Sequence, residues 1–347
     1  MNKIYTHLTI LLASILLSAL SLIACTDENQ EQADSEVPVS FTTVMGHVVT
    51  RSTLDNIWPN STDIKVRRSK TGETPVVFDY VTAATSSAAS SGVAVALTPK
   101  TDADKFYWPI NNPSWQFDAW PAAFHDTENG GPITTMTVVA DQSVYHATNN
   151  PSGIKESVYE GYDLLYCLPF TATYRQTVPL AFQHLMARVV VIVNSSSTDQ
   201  HEQVTNIAFG GGHVGLAGSV NLTTDPVTWT LTGGQTSTVA KMRNKTTKEE
   251  KQSHIYTFEC ILPPQSYATS GELIVITTTG DGSPRTYKYS NSYTLEPGNQ
   301  YTYSLAISES GKIVVSTVQV MPWETSTVSN TATYGNNYPS TIVTETE

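Results

Sequence analysis

Residues 301–307 read Tyr301-Thr302-Tyr303-Ser304-Leu305-Ala306-Ile307, and their alternation decides the fold class. Tyr301, Tyr303, Leu305 and Ile307 fall on one face and Thr302, Ser304 and Ala306 on the other, the two-residue period of a strand buried on one side. Tyr256-Thr257-Phe258-Glu259-Cys260 repeats the pattern and places Cys260 inward with Tyr256 and Phe258. Ile274-Val275-Ile276 and Tyr287-Lys288-Tyr289 flank Gly280-Asp281-Gly282-Ser283-Pro284, whose composition is that of a tight turn, so the pair is predicted to form a hairpin. Ile313 to Val320 reads as a further strand, closed by Met321-Pro322-Trp323. Helical periodicity is nearly absent; Glu249 to His254 and Leu185 to Arg188 have room for a turn or two. Short strands at regular intervals with turns between them predict an all-β chain built of β-sandwiches.

Composition agrees with that class. Thr and Ser are abundant, there are 17 Tyr, and only 14% of residues are charged. β-Branched and aromatic residues of this kind fit a pleated, half-buried surface. With 31 Asp and Glu against 19 Lys and Arg and no basic cluster, the chain is a poor partner for nucleic acid or for an anionic lipid surface. About 320 residues follow the N-terminal apolar segment, more than one core usually organises, so two domains are expected. We place them at residues 39–177 and 178–323, with the boundary just before Leu180-Ala181-Phe182-Gln183-His184-Leu185-Met186-Ala187. Residues 83–92, rich in small side chains, read as a loop inside the first domain. Residues 324–347 form a Thr-, Ser- and Asn-rich tail whose only adjacent aliphatic pair is Ile342-Val343.

The N-terminus carries Lys3 and then an apolar run from Leu8 to Ala24, interrupted only by Thr9, Ser14, Ser18 and Ser21. Such a run reads as a secretory signal peptide over residues 1–24, or as a membrane-spanning anchor. It is short for a bilayer span and lacks a basic flank after it, which favours the signal peptide. Residues 25–38 are polar and aperiodic and read as a flexible tether. Beyond Cys25 only Cys167 and Cys260 remain, too few for a disulfide framework; they are either two buried thiols or one bridge.

Catalytic and metal-binding patterns are missing from the sequence. No two of the histidines at 47, 125, 146, 184, 201, 213 and 254 stand at HxxxH spacing, and HExxH, CxxC and GxSxG do not occur. Gly210-Gly211-Gly212-His213 lacks the Lys and Ser or Thr of a phosphate loop and reads as a bulge or strand bend. No catalytic residue, metal ligand or cofactor is therefore assigned, and a non-enzymatic protein is expected. Trp108, Trp115 and Trp120 admit two readings: a platform on which sugars stack, or filling of a sandwich core. Trp115, Phe117 and Ala119 alternate with Gln116 and Asp118, which favours the core.

Several segments together resemble the fimbrillin family, the type V pilus proteins of Bacteroidota, and especially its Mfa-like branch. Leu22-Ile23-Ala24-Cys25 resembles a bacterial lipobox, with cleavage between Ala24 and Cys25 and lipid on the Cys25 thiol. Thr26-Asp27-Glu28-Asn29-Gln30 is similar to the acidic signal that sends such lipoproteins to the outer face of the outer membrane. Further carriers are Phe41 to Arg51, Ile57-Trp58, Asp63-Ile64-Lys65-Val66, Tyr107-Trp108-Pro109 and Phe117-Asp118-Ala119-Trp120-Pro121. They continue with Asp163-Leu164-Leu165-Tyr166, the 180–187 segment, Leu262-Pro263-Pro264-Gln265 and Leu295-Glu296-Pro297-Gly298-Asn299-Gln300-Tyr301.

The resemblance implies two transthyretin-like β-sandwiches in tandem after a lipoprotein signal peptide, and assembly by strand exchange. In that scheme an arginine-specific protease cuts near the first strand, the strand leaves, and another fimbrial subunit's strand fills the groove by β-augmentation. Arg51 matches the processing position, with Ser52 as the new terminus and Phe41, Val44, Val48 and Val49 on the displaced strand. Alternatively, Arg51 is a charged residue capping a permanent strand. Arg67-Arg68 follows Ile64 and Val66 in a predicted core strand, where a cut would damage the sheet. The weak tail points to a tip or minor subunit, or to an anchor that keeps its lipid. The rival reading is a monomeric surface lipoprotein that binds glycans through the tryptophans of residues 108–120.

Overall fold

The 301–307 segment lies inside the strand Asn299–Ile307, in the interior of a five-stranded sheet. Its rings and aliphatic chains at Tyr301, Tyr303, Leu305 and Ile307 are buried as the alternation predicts, and Thr302 is buried with them. The structure is a computed structural model, and it describes residues 37–45, 61–83, 94–108, 114–143, 160–195, 202–235, 238–280, 283–308 and 312–323.

That sheet runs Arg243–Asn244, Ile255–Leu262, Ala187–Asn194, Asn299–Ile307, Ile313–Pro322. A four-stranded sheet of Ala240–Lys241, Gln203–Phe209, Gln265–Gly280 and Ser283–Leu295 shares its core. The predicted hairpin is there: Gln265–Gly280 pairs antiparallel with Ser283–Leu295 out to Gly280 opposite Ser283. A short helix, Lys248–Gln252, is started by a capping box, in which Thr247 Oγ1 accepts from the Glu250 amide at 3.2 Å and Glu250 Oε2 accepts from the Thr247 amide at 2.7 Å. Leu185 to Arg188 is not helical.

The N-terminal strands form one sheet closed on itself, in the order Leu165–Thr173, Val178–His184, Phe41–Met45, Val95–Pro99, Val76–Thr82, Asp63–Ser69, Ser114–Pro121. Closure leaves this sheet without an edge. Its interior is a separate apolar cluster that includes Phe41, Ile64, Val66, Phe117, Leu180 and Phe182. The expected boundary before residue 178 is corrected here. Val178–His184 pairs with Leu165–Thr173 and Phe41–Met45, so it belongs to the first sheet, and the chain crosses to the second at Leu185-Met186. Leu180 and Phe182 fill the barrel, whereas Leu185 and Met186 join the second core.

The crossing is tied down on every side. His184 Nδ1 lies 2.5 Å from Asp163 Oδ1, and its ring stacks on Trp323 at 4.2 Å. Leu185 donates its amide to Leu164 O, and its carbonyl accepts Trp229 Nε1–H at 2.8 Å. Met186 O accepts the amide of Gly298, which sits in the left-handed region at φ 69°. A Cβ there would come within 3.1 Å of His184 O, so the turn before Asn299–Ile307 calls for glycine.

A buried ion pair links two strands of the five-stranded sheet. Arg188 Nη2 lies 2.5 Å from Glu259 Oε2 on the adjoining strand, with Lys245 Nζ 3.4 Å from the other oxygen. Burial pushes the Glu259 carboxyl up, but the Arg188 and Lys245 charges outweigh it and hold the group below its ordinary value. Removing Arg188 leaves the buried Glu259 carboxylate to the more distant and partly exposed Lys245, so most of its desolvation goes uncompensated. Arg188→Ala is expected to lower stability by about 3–5 kcal/mol, and Arg188→Met combined with Glu259→Leu far less, both read from urea unfolding.

Cys167 and Cys260 are free, buried thiols in different clusters. Burial pushes the Cys167 thiol up to about 12 and raises that of Cys260 as well. Thiolate is the reactive form. Iodoacetamide should therefore label peptides containing these two residues only after denaturation, as read by mass spectrometry.

Candidate functional site

Residues 37–45 place Val37, Val39, Phe41 and Thr43 at alternate positions, and within this segment Phe41–Met45 enters the barrel wall as its first strand. Val37 and Pro38 form a short ribbon with Trp108 and Tyr107, so the last two residues of the expected tether are structured. Val39 donates its amide to Phe106 O, and Ser40 O accepts from Val178 N, each at 2.8 Å. Phe41–Met45 then pairs antiparallel with Val95–Pro99 on one side and parallel with Val178–His184 on the other. Every other junction of the barrel is antiparallel. The first and last strands of the barrel meet at this parallel seam.

Two side chains of the strand fill the barrel. Phe41 is 2% exposed and meets the rings of Tyr80, Phe117 and Phe106 edge-on, at centroid distances of 5.1, 5.2 and 6.1 Å. Thr43 is 0% exposed, and its Oγ1 donates to Val95 O at 3.2 Å. Val39 is buried beside them. A cavity of about 320 Å³ lies along Pro38–Thr42, lined also by Tyr80, Leu97, Lys105 and Phe106.

Of the expected site residues, Phe41 lies in this core, and Val44 pairs with Ala181 across the parallel seam. Ala24, Cys25, Val48, Val49, Arg51 and Ser52 lie outside the described residues, as do the signal peptide and the 324–347 tail. Thr43 was not singled out from the sequence. The signal was the strict alternation Val37, Val39, Phe41, Thr43, Met45, which puts a threonine, and not Val44, in register with Phe41.

Arg67-Arg68 is held in a central strand paired on both sides. Asp118 accepts from Arg67 Nε at 2.9 Å and Nη2 at 2.6 Å, and from the Tyr166 hydroxyl at 2.5 Å. Burial lowers the Arg67 pKa, and the bonds to Asp118 more than offset it, so the guanidinium is raised above its ordinary value.

The tryptophan platform is overturned: Trp108, Trp115 and Trp120 are 2, 6 and 0% exposed. Trp108 and Trp115 stack on each other at 5.6 Å, and the Arg68 guanidinium lies 4.4 Å over Trp115. Trp120 packs in the second core. None of the three offers a free face to a sugar. Gly210, Gly211 and Gly212 all have positive φ, and a Cβ on Gly211 would meet Glu272 O at 1.4 Å, so the run is a glycine-dependent turn packed on backbone. Gln265 of the Leu-Pro-Pro-Gln segment is also structural, since its amide bonds both the N–H and the carbonyl of Gly215.

The seam therefore rests on one ring and one hydroxyl. Phe41→Ala is expected to cost about 3–5 kcal/mol and Thr43→Val about 1 kcal/mol, measured by denaturant unfolding of the full chain.

Solved structures share this architecture. A candidate cell adhesion protein from Bacteroides uniformis aligns over 84% of this chain and 98% of its own, at 18% identity and a TM-score of 0.54. A candidate cell adhesion protein from Bacteroides ovatus aligns over 83% and 98%, at 15% identity and the same TM-score of 0.54. At these identities the likeness is one of fold. No curated protein sequence matches the chain significantly. The fimbrillin-like family matches residues 50–323, which span most of the barrel and the whole second sandwich. This chain belongs to the fimbrillin-like family.

Proposed function

We propose that the chain is the precursor of a non-enzymatic fimbrial subunit, a surface lipoprotein that assembles by proteolysis-triggered strand exchange and acts in adhesion. The observation that carries this reading is the position of Phe41–Met45 as the closing strand of an otherwise continuous barrel. Its loss would unpair the facing edges of Val95–Pro99 and Val178–His184 and uncover Tyr80, Phe106 and Phe117. An edge of that kind, with an apolar floor, is a template for an incoming strand. Family membership supports fimbrial partners, and the cell-adhesion descriptions of the two structural relatives support the role in adhesion.

In this reading the signal peptide ends at Ala24, lipid on Cys25 holds the precursor in the outer membrane, and an arginine-specific protease cuts between Arg51 and Ser52. The cut separates the lipid and the first strand from the rest of the chain. The lipid delivers the subunit, and the protease commits it to assembly. The fate of the strand is then a matter of competition, because main-chain bonds lost to the departing segment are regained with the arriving one. Burial of the three tryptophans removes the support for a monomeric glycan receptor.

The test is mass spectrometry of N-termini of protein sheared from cells, with and without an arginine-specific protease. Protein from treated cells is expected to begin at Ser52, and an Arg51→Gln chain to keep its acylated Cys25. A treated wild-type chain that still begins at Cys25 overturns the role of Arg51.

A further inference from the structure

We propose, resting on the strand-exchange reading above, that the seam selects its incoming strand by an aromatic ring in the Phe41 slot and a Ser or Thr two residues later, and that a different subunit supplies it. Residues 324–347 of this chain do not fit.

The slots define the partner. The ring slot is bounded by the edges of Tyr80, Phe106 and Phe117, all three buried, and nothing but apolar surface can replace the ring there without leaving a void or an unsatisfied polar group. The Thr43 slot is fully enclosed and places Val95 O at hydrogen-bond distance, so it takes a side chain of Thr or Ser size that brings a hydroxyl. Val39 marks a third, apolar slot two residues before the ring. Ser40 O faces Val178 N, so by the strand period the main chain of residue 42 faces the same neighbour and its N–H belongs to that ladder. The incoming strand must therefore present an apolar residue, an aromatic ring and a Ser or Thr at alternate positions. It also needs a residue other than proline between the last two, and it must run parallel to Val178–His184.

The 324–347 segment can be tried in the three registers that put Tyr334, Tyr338 or Ile342 in the ring slot. With Tyr334 in the ring slot, Asn336 enters the enclosed threonine slot, where a longer amide meets a space sized for Thr. With Tyr338 there, Ser340 suits the threonine slot, but Pro339 removes the ladder N–H and Asn336 takes the place of Val39. With Ile342 there, Thr344 suits, but no ring fills the aromatic slot and Ser340 replaces Val39. Each register fails one or two requirements that residues 39–43 meet together. Residues 324–347 of a second copy are therefore a poor match to these slots, and the strand is assigned to another kind of subunit.

The experiment uses the full chain with Cys25→Ser, to prevent acylation, and an engineered protease-recognition sequence inserted after Ser52. Cleavage there leaves the labelled N-terminal fragment seated without covalent attachment and does not depend on Arg51. Competing peptides are then titrated, and release of the label is measured. The peptide of residues 37–45 is expected to displace the fragment. Its Phe41→Ala form should need at least about 100-fold more peptide, its Phe41→Ile form about 10-fold more, and its Thr43→Val form about 5- to 10-fold more. The peptide of residues 324–347 should not displace it at concentrations where the parent saturates. If the tail peptide competes as well as the parent, the donor is a second copy of this chain and the proposal falls. If Phe41→Ala competes equally, the ring slot does not select. If even the parent peptide releases nothing, the seam does not exchange, and the reading under Proposed function falls together with this one.

Discussion

The parallel pairing of Phe41–Met45 with Val178–His184 is the constraint on which the first half of the molecule depends. A strand inside a sheet must pair its main chain on both sides, and the only segments left to satisfy these two are the first and last of the barrel. They are far apart in sequence, so the chain has to complete everything between them before this junction repays its loop-closure entropy. The junction is also the only parallel one in the barrel. Asp63–Ser69, Val76–Thr82 and Val95–Pro99 pair in chain order and Leu165–Thr173 pairs with Val178–His184, whereas Phe41–Met45, like Ser114–Pro121, is held by partners on distant parts of the chain. A strand with that standing can be withdrawn without unfolding a hairpin, since no tight turn ties it to the strand beside it.

What keeps the rest in place when the seam is disturbed is the crossing at Leu185-Met186. The strand Val178–His184 is one wall of the seam, and it runs without a linker into Ala187–Asn194 of the second sandwich. His184 is stacked on Trp323 and paired with Asp163, and the carbonyls of Leu185 and Met186 are taken by Trp229 and Gly298. The second core also reaches back under the barrel through Trp120, Tyr162, Leu164 and Tyr166. One wall is thus anchored in a large apolar cluster that does not include the leading strand. Segments far apart in the chain, around residues 163, 184, 298 and 323, converge on this one joint.

The sequence was legible wherever one face of a strand is buried and the other is not. Tyr301 to Ile307 and the hairpin around residues 280–284 could be read from period and turn residues alone. The boundary was harder, because Leu180-Ala181-Phe182 and Val189 to Val193 are both apolar, and nothing local says that the first packs into one core and the second into another. The tryptophans were ambiguous for a related reason, since a ring that stacks on a sugar and a ring that stacks on its neighbour have the same sequence signature. In the leading strand, hydrophobicity drew attention to Phe41 and Val44, and the structure seats Phe41 in the barrel core together with Val39 and Thr43. Thr43 escapes a hydrophobic scan because it is buried for its size and for one hydroxyl bond to Val95 O.

The two halves manage their strand edges differently, and that difference bears on where exchange belongs. Among the described residues, Ile313–Pro322 is an open edge of the second sandwich, with Val318 at 36% and Val320 at 53% exposure. These valines stand opposite Tyr303 and Tyr301, on the face that turns toward the core. An edge already open before a trigger is not switched on by it, and it offers its main chain to any extended segment. The barrel, by contrast, shows no edge until its first strand is gone, and then it exposes two at once above an aromatic floor. A regulated assembly step requires a site absent before the trigger and present after it. Among the described residues, the closed sheet meets that requirement and the open sandwich does not, which is the reason the proposed exchange is put at the seam of Phe41 and Thr43.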